Sequence, residues 1–354
     1  MEEFIEPEYH LGFFSPGDAP GVVRLFQIIY GDFFPVQAMY DPAEIIGRNA
    51  DGSYHALVAK NDDGEVIGHI AVFRSNAPNP DIFEAGLLMV RPDFRQTGVA
   101  FSLFSALVHQ LIPATHITSF WGEAVCNHLF TQQMAVREGF IEMALEMDLM
   151  PAESYTTPHG QSVGGRVSVL PIFYLASRVH QTIYLPARYE AYLRFLYSPL
   201  EDSYSFDVSA EGLPPGMTSG EVIVLKAAKV ARITIHTVGE DIRAWVKKTE
   251  AQVIAEGAVI IQWYLHLSWP CIGSVTDLLF ESGSFFGGVL PAWFGSDALL
   301  MQKVIGKPYF EGTHVYSKRA KKIKEYVMND WYDQSGDRTG DDGMNIGMNP
   351  GVRG

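Results

Sequence analysis

The chain has 354 residues, 41 acidic against 26 basic side chains, a formal net charge of -15 and 47% hydrophobic residues. That length and apolar content suit two domains with a core each and exclude disorder as the main state. The acidic balance opposes a nucleic-acid or anionic-membrane binder, because phosphate binding relies on clustered Lys and Arg to displace counterions, and it is compatible with a cationic or neutral substrate without selecting one.

From the N-terminus, His10 to Pro16 predicts a short strand, and Ser15-Pro16-Gly17-Asp18 offers turn and cap chemistry before a helix whose Val22, Leu25, Phe26 and Ile29 recur at helical spacing. An aromatic stretch from Tyr30 leads to a second helix near Asp41-Pro42, where Asp caps and Pro fits the first turn. Tyr54 to Ala59 and Glu65 to Arg74 read as a hairpin around Asp63-Gly64. Then come a strand at Ile82 to Val90, a helix at Gly98 to Leu111, a strand at His116 to Val125, a helix at Leu129 to Arg137 and one continuous strand from Gly139 to Met150. Pro151 to Gly165 reads as an exposed loop, Arg166 to Ala176 as a closing strand, Tyr189 to Tyr197 as a connecting helix, and Leu213 to Gly220 as a domain boundary.

Beyond Gly220 the pattern recurs in shorter form. Strands are expected at Val222 to Lys226 and Ala231 to Thr237, a helix at Glu240 to Ala255, a strand at Ala258 to Leu265, a helix at Ile272 to Phe280, and strands at Ser284 to Leu290 and Asp297 to Val304. Arg137-Glu-Gly139-Phe140 and Glu281-Ser-Gly283-Ser-Phe285 occupy matching places, which suggests diverged copies. The segment from Gln334 to Gly354 is Gly-, Asp- and Asn-rich and is expected to be mobile unless docked. Cys126 and Cys271 lie far apart without zinc-type spacing, which speaks against a disulfide scaffold or structural zinc. The opening MEEFIEPEYH lacks the pattern of a secretory signal, and no apolar run reaches 18 residues, so a cytoplasmic location is expected.

The run Leu87-Leu-Met-Val90-Arg-Pro-Asp-Phe-Arg95-Gln-Thr-Gly98-Val-Ala100 carries the most information. A strand delivers the chain to a turn that opens a helix, and unpaired N–H groups there, reinforced by the macrodipole, form a pyrophosphate site. Gly98 permits close approach and Arg95 adds charge. The spacing V-x-P-x-x-R-x-x-G-x-A, carried by Val90, Pro92, Arg95, Gly98 and Ala100, resembles the GCN5-related N-acetyltransferase (GNAT) superfamily over residues about 10 to 150.

The resemblance implies an α/β (α+β) GNAT fold, a mixed, mostly antiparallel sheet flanked by helices, in two tandem GNAT-like domains. It implies acetyl-CoA or another acyl-CoA as co-substrate, with no metal. The backbone of Leu88, Met89 and Val90 would pair with the pantetheine arm, and the amides of Arg95, Gln96, Thr97, Gly98, Val99 and Ala100 would hold the pyrophosphate. The matching helix of the second half opens with Thr237-Val-Gly239-Glu240-Asp241, which has no Arg and puts two carboxylates where phosphate would sit, so that copy is expected not to bind coenzyme A. The expected organisation is a GNAT domain at 1–176, a connecting helix and linker at 177–220, a degenerate GNAT-like domain at 221–333 and a tail at 334–354. Tyr40-Asp-Pro, Gly64 to His69, Glu123-Ala-Val125 with His128, and Gly139-Phe140 are also similar to a bacterial GNAT subgroup found beside anti-sigma-type ATPase domains, a domain missing from this sequence.

Acyl transfer to an amine needs a base, because an alkyl ammonium has a pKa of about 10.4. Glu84 on the cofactor strand and Glu123 on the next strand match base positions of the family, and their mutual repulsion can raise one pKa; either also suits an exposed strand carboxylate or a salt-bridge partner. Where the family usually carries a general-acid Tyr, this chain has Ala135. His128 stands where the family usually has an Asn and reads either as a proton donor or base or as a helix-start hydrogen-bonding group; Cys126 reads as an acyl-carrying nucleophile or as a small buried side chain. Phe33, Phe34 and Tyr40 fall where acceptor pockets of the family are lined, although core packing also suits the two Phe. Trp263, Trp269, Phe285, Phe286, Trp293 and Phe294 read as core plus an interface between the halves. The expected activity is acyl-CoA-dependent N-acylation of a small-molecule or peptide amine, without nucleic acid or membrane and with room for a homodimer; the alternative is an acyl-CoA-binding regulatory or interaction protein without turnover.

Overall fold

The computed structural model describes residues 8–32, 34, 36–152, 164–176 and 180–336. In chain order the first half carries β1 (His10–Phe13), α1 (Ala19–Tyr30), α2 (Pro42–Ala50), β2 (Tyr54–Lys60), β3 (Val66–Arg74), β4 (Phe83–Val90), α3 (Val99–Ala106), β5 (Ser119–Val125), α4 (Phe130–Arg137), β6 (Ile141–Glu142), β7 (Glu146–Met150) and β8 (Val167–Leu175). Local chemistry sets several of these boundaries. The Asp41 carboxylate accepts from Ala43 N at 2.9 Å and starts α2, and the Asn61 side chain accepts from Glu65 N at 2.8 Å in the turn that Gly64, at φ +77°, completes between β2 and β3.

These strands form one sheet in the order β1-β2-β3-β4-β5-β8-β6, with β7 also on β8. Every pairing is antiparallel except β4 with β5, which is parallel. That exception shapes the site. β4 and β5 are in register only at Phe83–Phe120 and Glu84–Trp121 and then diverge. Just beyond, Gly122 lets β5 pass close to β4, since a Cβ there would lie 2.9 Å from the Ala85 carbonyl oxygen. β4 also bulges, with Leu87 at φ +56° and a register slip opposite His69 to Ala71 of β3. The buried His69 stabilises the bulge: Nδ1 donates to the Leu87 carbonyl at 2.9 Å and Nε2 accepts from the Tyr54 hydroxyl at 2.5 Å. Burial lowers its pKa to about 4, consistent with a neutral ring.

A parallel pair, β9 (Gln181–Leu185) and β10 (Tyr204–Val208), brackets α5 (Glu190–Tyr197). The second half follows with β11 (Ser219–Leu225), β12 (Val230–Thr237), α6 (Ile242–Ala255), β13 (Ile260–His266), α7 (Ile272–Glu281), β14 (Phe285–Leu290), β15 (Ala298–Val304) and α8 (Lys318–Ser335). Its sheet order is β11-β12-β13-β15-β14, with β12 and β13 parallel and the other pairs antiparallel. This repeats the order and directions of β3-β4-β5-β8-β6, with α6 and α7 in the places of α3 and α4. The topology therefore bears the internal duplication suggested by the sequence, without counterparts of β1, α1, α2 and β2.

The halves join through equivalent positions. Ala144 bridges Gly288, and each lies five residues after a left-handed glycine, Gly139 at φ +84° and Gly283 at φ +101°. Leu145 N donates to Gly287 O at 2.7 Å and Val289 N to Met143 O at 2.9 Å. The Gln302 side chain accepts from Met147 N and donates to Leu145 O, both at 2.8 Å. One hydrophobic core runs through both halves. This junction interrupts the strand expected from Gly139 to Met150, which is split into β6 and β7 because residues 143–145 turn their backbone groups toward β14. β9, β10 and α8 were not anticipated. Gln334 and Ser335 end α8 and Gly336 caps it in the left-handed conformation, so the expected mobile tail does not begin at 334; residues 337–354 lie outside the described residues.

Candidate active site

The divergence of β4 and β5 opens a cleft of about 740 Å³. Leu88, Met89, Val90, Arg95 and Ala100 line it, as do Glu84, Glu123, His128 and Phe34. One wall thus brings together most of the residues singled out in the sequence. Gln96, Thr97 and Gly98 lie in the turn between the lining residues Arg95 and Ala100 and do not themselves line the cleft, and the side chain of Val99 is buried in the core. Gln96 at φ +74° and Gly98 at φ +83° alternate around Thr97, whose hydroxyl donates to Phe94 O at 2.6 Å, and the amides of 96–98 have no protein acceptor among the described residues. Free N–H groups in such a turn, at the start of α3, form an anion-binding concavity. The Arg95 guanidinium Nε lies 3.4 Å from Val90 O on the same wall.

The equivalent turn in the second half is filled by protein. Gly239 N donates to the Thr218 hydroxyl at 3.1 Å, the Asp241 carboxylate accepts from Thr218 N at 2.7 Å, and a Cβ at Gly239 would overlap the Gly216 carbonyl. The chain at 216–218 occupies the place where an anion would approach.

Three carboxyls converge under the cleft: Glu84 from β4, Glu123 from β5 and Glu146 from β7. Burial, then repulsion from Glu123, pushes Glu84 up to about 8, despite Arg232. Burial raises Glu123 against the opposing pull of Arg232, and burial raises Glu146 to about 7. The cation among them comes from the second half: Arg232 of β12 places Nη2 3.6 Å from a Glu123 carboxylate oxygen. Its Nε donates at 3.1 Å to the Gln262 side-chain oxygen, which also accepts from the Tyr264 hydroxyl at 3.0 Å.

On the other face of β4 a hollow of about 420 Å³ shares Phe34, Glu84, Gly86 and Leu87 with the cleft and is walled by Met39, Arg48, Phe73 and Arg74. Glu84 thus faces both spaces. Its two arginines are engaged, Arg48 with Glu44 at 3.8 Å and Arg74 as donor to Pro80 O at 3.1 Å. Tyr40 lines neither space; its hydroxyl donates to Gly31 O at 2.6 Å and accepts from Phe34 N at 3.0 Å, so it braces the α1–α2 connection that presents Phe34. Phe33 lies outside the described residues. Tyr30, at the end of α1, lines the cleft and was not singled out in the sequence.

His128 lines the cleft and a second hollow of about 530 Å³ whose wall includes Lys321 and Lys324 of α8; burial lowers its pKa, which keeps the ring neutral. Cys126 is fully buried with its thiol pushed up to about 12 by desolvation, so the reading as an acyl-carrying nucleophile is withdrawn in favour of core packing. Ala135 is buried on α4. Trp263, Phe285 and Phe286 are core, and Trp293 packs edge-on against Trp121 of the first half at 5.2 Å. No metal-holding group of three or more His, Cys, Asp or Glu occurs among the described residues, and none of their helices is long and apolar enough to cross a membrane.

A splayed parallel strand pair, the turn with free amides and the buried carboxyls thus belong to one segment of the chain. Residues 22–140, a third of the chain, match the family model described as Acetyltransferase (GNAT) family, and this segment is a GNAT domain. No curated protein matches the chain. Solved structures similar to it include the ribosomal-protein-S18-alanine N-acetyltransferase of Escherichia coli, at 15% identity and TM-score 0.36 over 49% of this chain and 96% of that one. The spermidine/spermine N-acetyltransferase SpeG of Vibrio cholerae is 13% identical with TM-score 0.36, over 48% and 95% of the two chains. The protein yncA of Salmonella typhimurium, solved with its cofactor acetyl-CoA, is 12% identical with TM-score 0.38, again over 48% and 95%.

Proposed function

We propose that the chain is an acetyl-CoA-dependent N-acyltransferase, with residues 1–176 as the catalytic domain and 221–333 as a degenerate GNAT-like copy that does not bind the nucleotide. The observation that carries the reading is the cleft that runs from Arg95 and Ala100, which flank the free amides of 96–98, to Glu84. The residues fit the co-substrate: an open strand edge at Leu88 to Val90 suits the amides of a pantetheine arm, and the turn at 96–98 suits a pyrophosphate. Acetyl-CoA supplies the acyl group as a thioester.

Glu84 is the base in this reading, because it faces both the cleft and the acceptor hollow, whereas Glu123 is engaged by Arg232. An amine entering beside Phe34 loses a proton to the Glu84 carboxylate, directly or through water, as its nitrogen bonds to the acyl carbon. The C–S bond breaks as the thiolate departs, and because a thiol's pKa of about 8.5 is low for a leaving group the thiolate leaves unprotonated and takes its proton from water afterwards, so the alanine at 135 is tolerated; Tyr30 of α1 is a cleft-lining phenol. His128, held neutral, serves as a hydrogen-bonding group at the start of α4. Release of coenzyme A with acetyl-CoA and a panel spanning peptide N-terminal alanine, polyamines and amino acids tests the reading. Turnover lost on Glu84→Gln with calorimetric acetyl-CoA binding retained is the expected result. Binding without turnover across the panel would instead leave a non-catalytic acyl-CoA-binding protein, and no binding would reject both.

A further inference from the structure

We infer that Arg232 is a positioning residue that the second half supplies to the acid–base site of the first, holding the Glu123 carboxylate beside Glu84. The inference rests on the reading of Glu84 as the base. Three observations converge on it. Arg232 is the cation that meets the carboxyl cluster: its Nη2 lies 3.6 Å from Glu123, and its field also reaches Glu84 and Glu146. Its direction is fixed from behind, because Gln262 accepts from Arg232 Nε and from the Tyr264 hydroxyl at once. Tyr264 in turn stacks on Trp293, with centroids 5.5 Å apart, and Trp293 packs on Trp121, the neighbour of Gly122 and Glu123 on β5. The polar chain runs from Gln262 of β13 through Arg232 of β12, the aromatic chain from Tyr264 of β13 through Trp293, and both end on β5.

The charge arithmetic gives the arrangement a consequence. Facing the cluster are Glu84 on β4, Glu123 on β5, Glu146 on β7, Arg232 on β12 and Tyr264 on β13. Three buried carboxyls with a single cation cannot all ionise together near neutral pH. Arg232 sits closest to Glu123 and so assigns the favoured anion to that residue. The proton retained longest then falls on Glu84, the group facing both substrate spaces. The second half thereby sets where the proton sits in the first half's site without touching either substrate.

Infrared difference titration of the full chain bearing 13C-carboxyl glutamate, from pH 5 to 10, reads the carboxyl protonation directly and needs no acceptor. Removing a cation at this range from a carboxylate is expected to raise the cluster's titration by about one to three pH units in Arg232→Gln, and Arg232→Lys should bring it back toward the parent. Should Arg232→Gln not fold, Glu123→Gln carries the test: loss of the neighbouring anion is expected to lower the Glu84 midpoint. Midpoints unchanged in a folded Arg232→Gln protein, or in Glu123→Gln, would overturn the inference. Failure of the acyltransferase reading shows separately, as absence of acetyl-CoA binding or of turnover in the parent protein.

Discussion

Replacing Gly98 separates backbone strain from electrostatics at the proposed pyrophosphate turn. Gly98 sits at φ +83°, and a Cβ there would meet nothing closer than the Tyr9 hydroxyl at 3.7 Å. Gly98→Ala therefore carries only the cost of a left-handed residue, about 1–2 kcal/mol of stability, and leaves the free amides in place. Gly98→Glu carries the same strain plus a carboxylate at the rim of the anion site. At about 4 Å and an effective dielectric of about 20, two unit charges repel by roughly 4 kcal/mol. The rim is exposed and the side chain can swing away, so a weakening of at least about 100-fold beyond the Ala variant, equivalent to about 2.7 kcal/mol, is the expected difference. Calorimetric titration with coenzyme A at low and moderate salt measures it, and thermal melts of the two variants should coincide. Affinities of the Ala and Glu variants within threefold of each other would refute the placement of the pyrophosphate at this turn.

If Glu84 acts as the base, kcat/KM should rise with pH through a limb near 8, where its carboxyl ionises, and Glu84→Gln should lose about 100-fold or more of turnover; a rate indifferent to pH from 6.5 to 9 in the parent would remove Glu84 from that role. Stability should move the opposite way. Glu84 and Glu146 have folded values above their unfolded ones, so the stability they contribute is full below about pH 4.5 and is lost as pH rises through about 7 to 8; between pH 6.5 and 8 the expected loss is on the order of 1–2 kcal/mol, read by urea unfolding as the parent's profile minus that of a Glu84→Gln, Glu146→Gln double variant, and a flat or rising difference contradicts it. His55, His69, His128 and His266, whose values folding lowers, act the other way over this interval, each adding up to about 0.4 kcal/mol as the unfolded imidazole loses its charge, which is why the carboxyl contribution is read as a difference between proteins. At the junction of the halves, Gly288→Val would place a Cβ within 2.6 Å of Ala144 at φ +126°, and should destabilise by about 3 kcal/mol or more in thermal unfolding; a cost under 1 kcal/mol would mean that the strands do not approach as described.

The parts of this site legible in the sequence are those written in local chemistry. Val90 to Ala100 announces itself as strand, turn and helix start within eleven residues, and each of its signals acts on its own backbone. Glu84 and Glu123 could be placed by counting along strands. Arg232 could not: it lies over a hundred residues from Glu123, and nothing in Val230 to Thr237 distinguishes a buried arginine that reaches another sheet from a solvated one. Glu146 was equally silent, one of two carboxyls in the strand Glu146 to Met150, buried beside Arg232 of β12 and Gln262 of β13. α8 was legible and passed over, since Ala320, Ile323, Val327 and Trp331 recur at helical spacing beneath a Lys-rich surface. The split between β6 and β7 arises from Gly288, a contact between distant segments.

Ala144 facing Gly288 places the meeting of the two sheets inside a single polypeptide. Two separate subunits joined this way would fall apart on dilution, and any group lent across the contact would be withdrawn with them. Here the join is unimolecular, so its occupancy does not depend on protein concentration. A cation reaching from one sheet to the carboxyls of the other is then as constant at nanomolar enzyme as at millimolar, and the protonation of the cleft becomes a fixed property of each molecule.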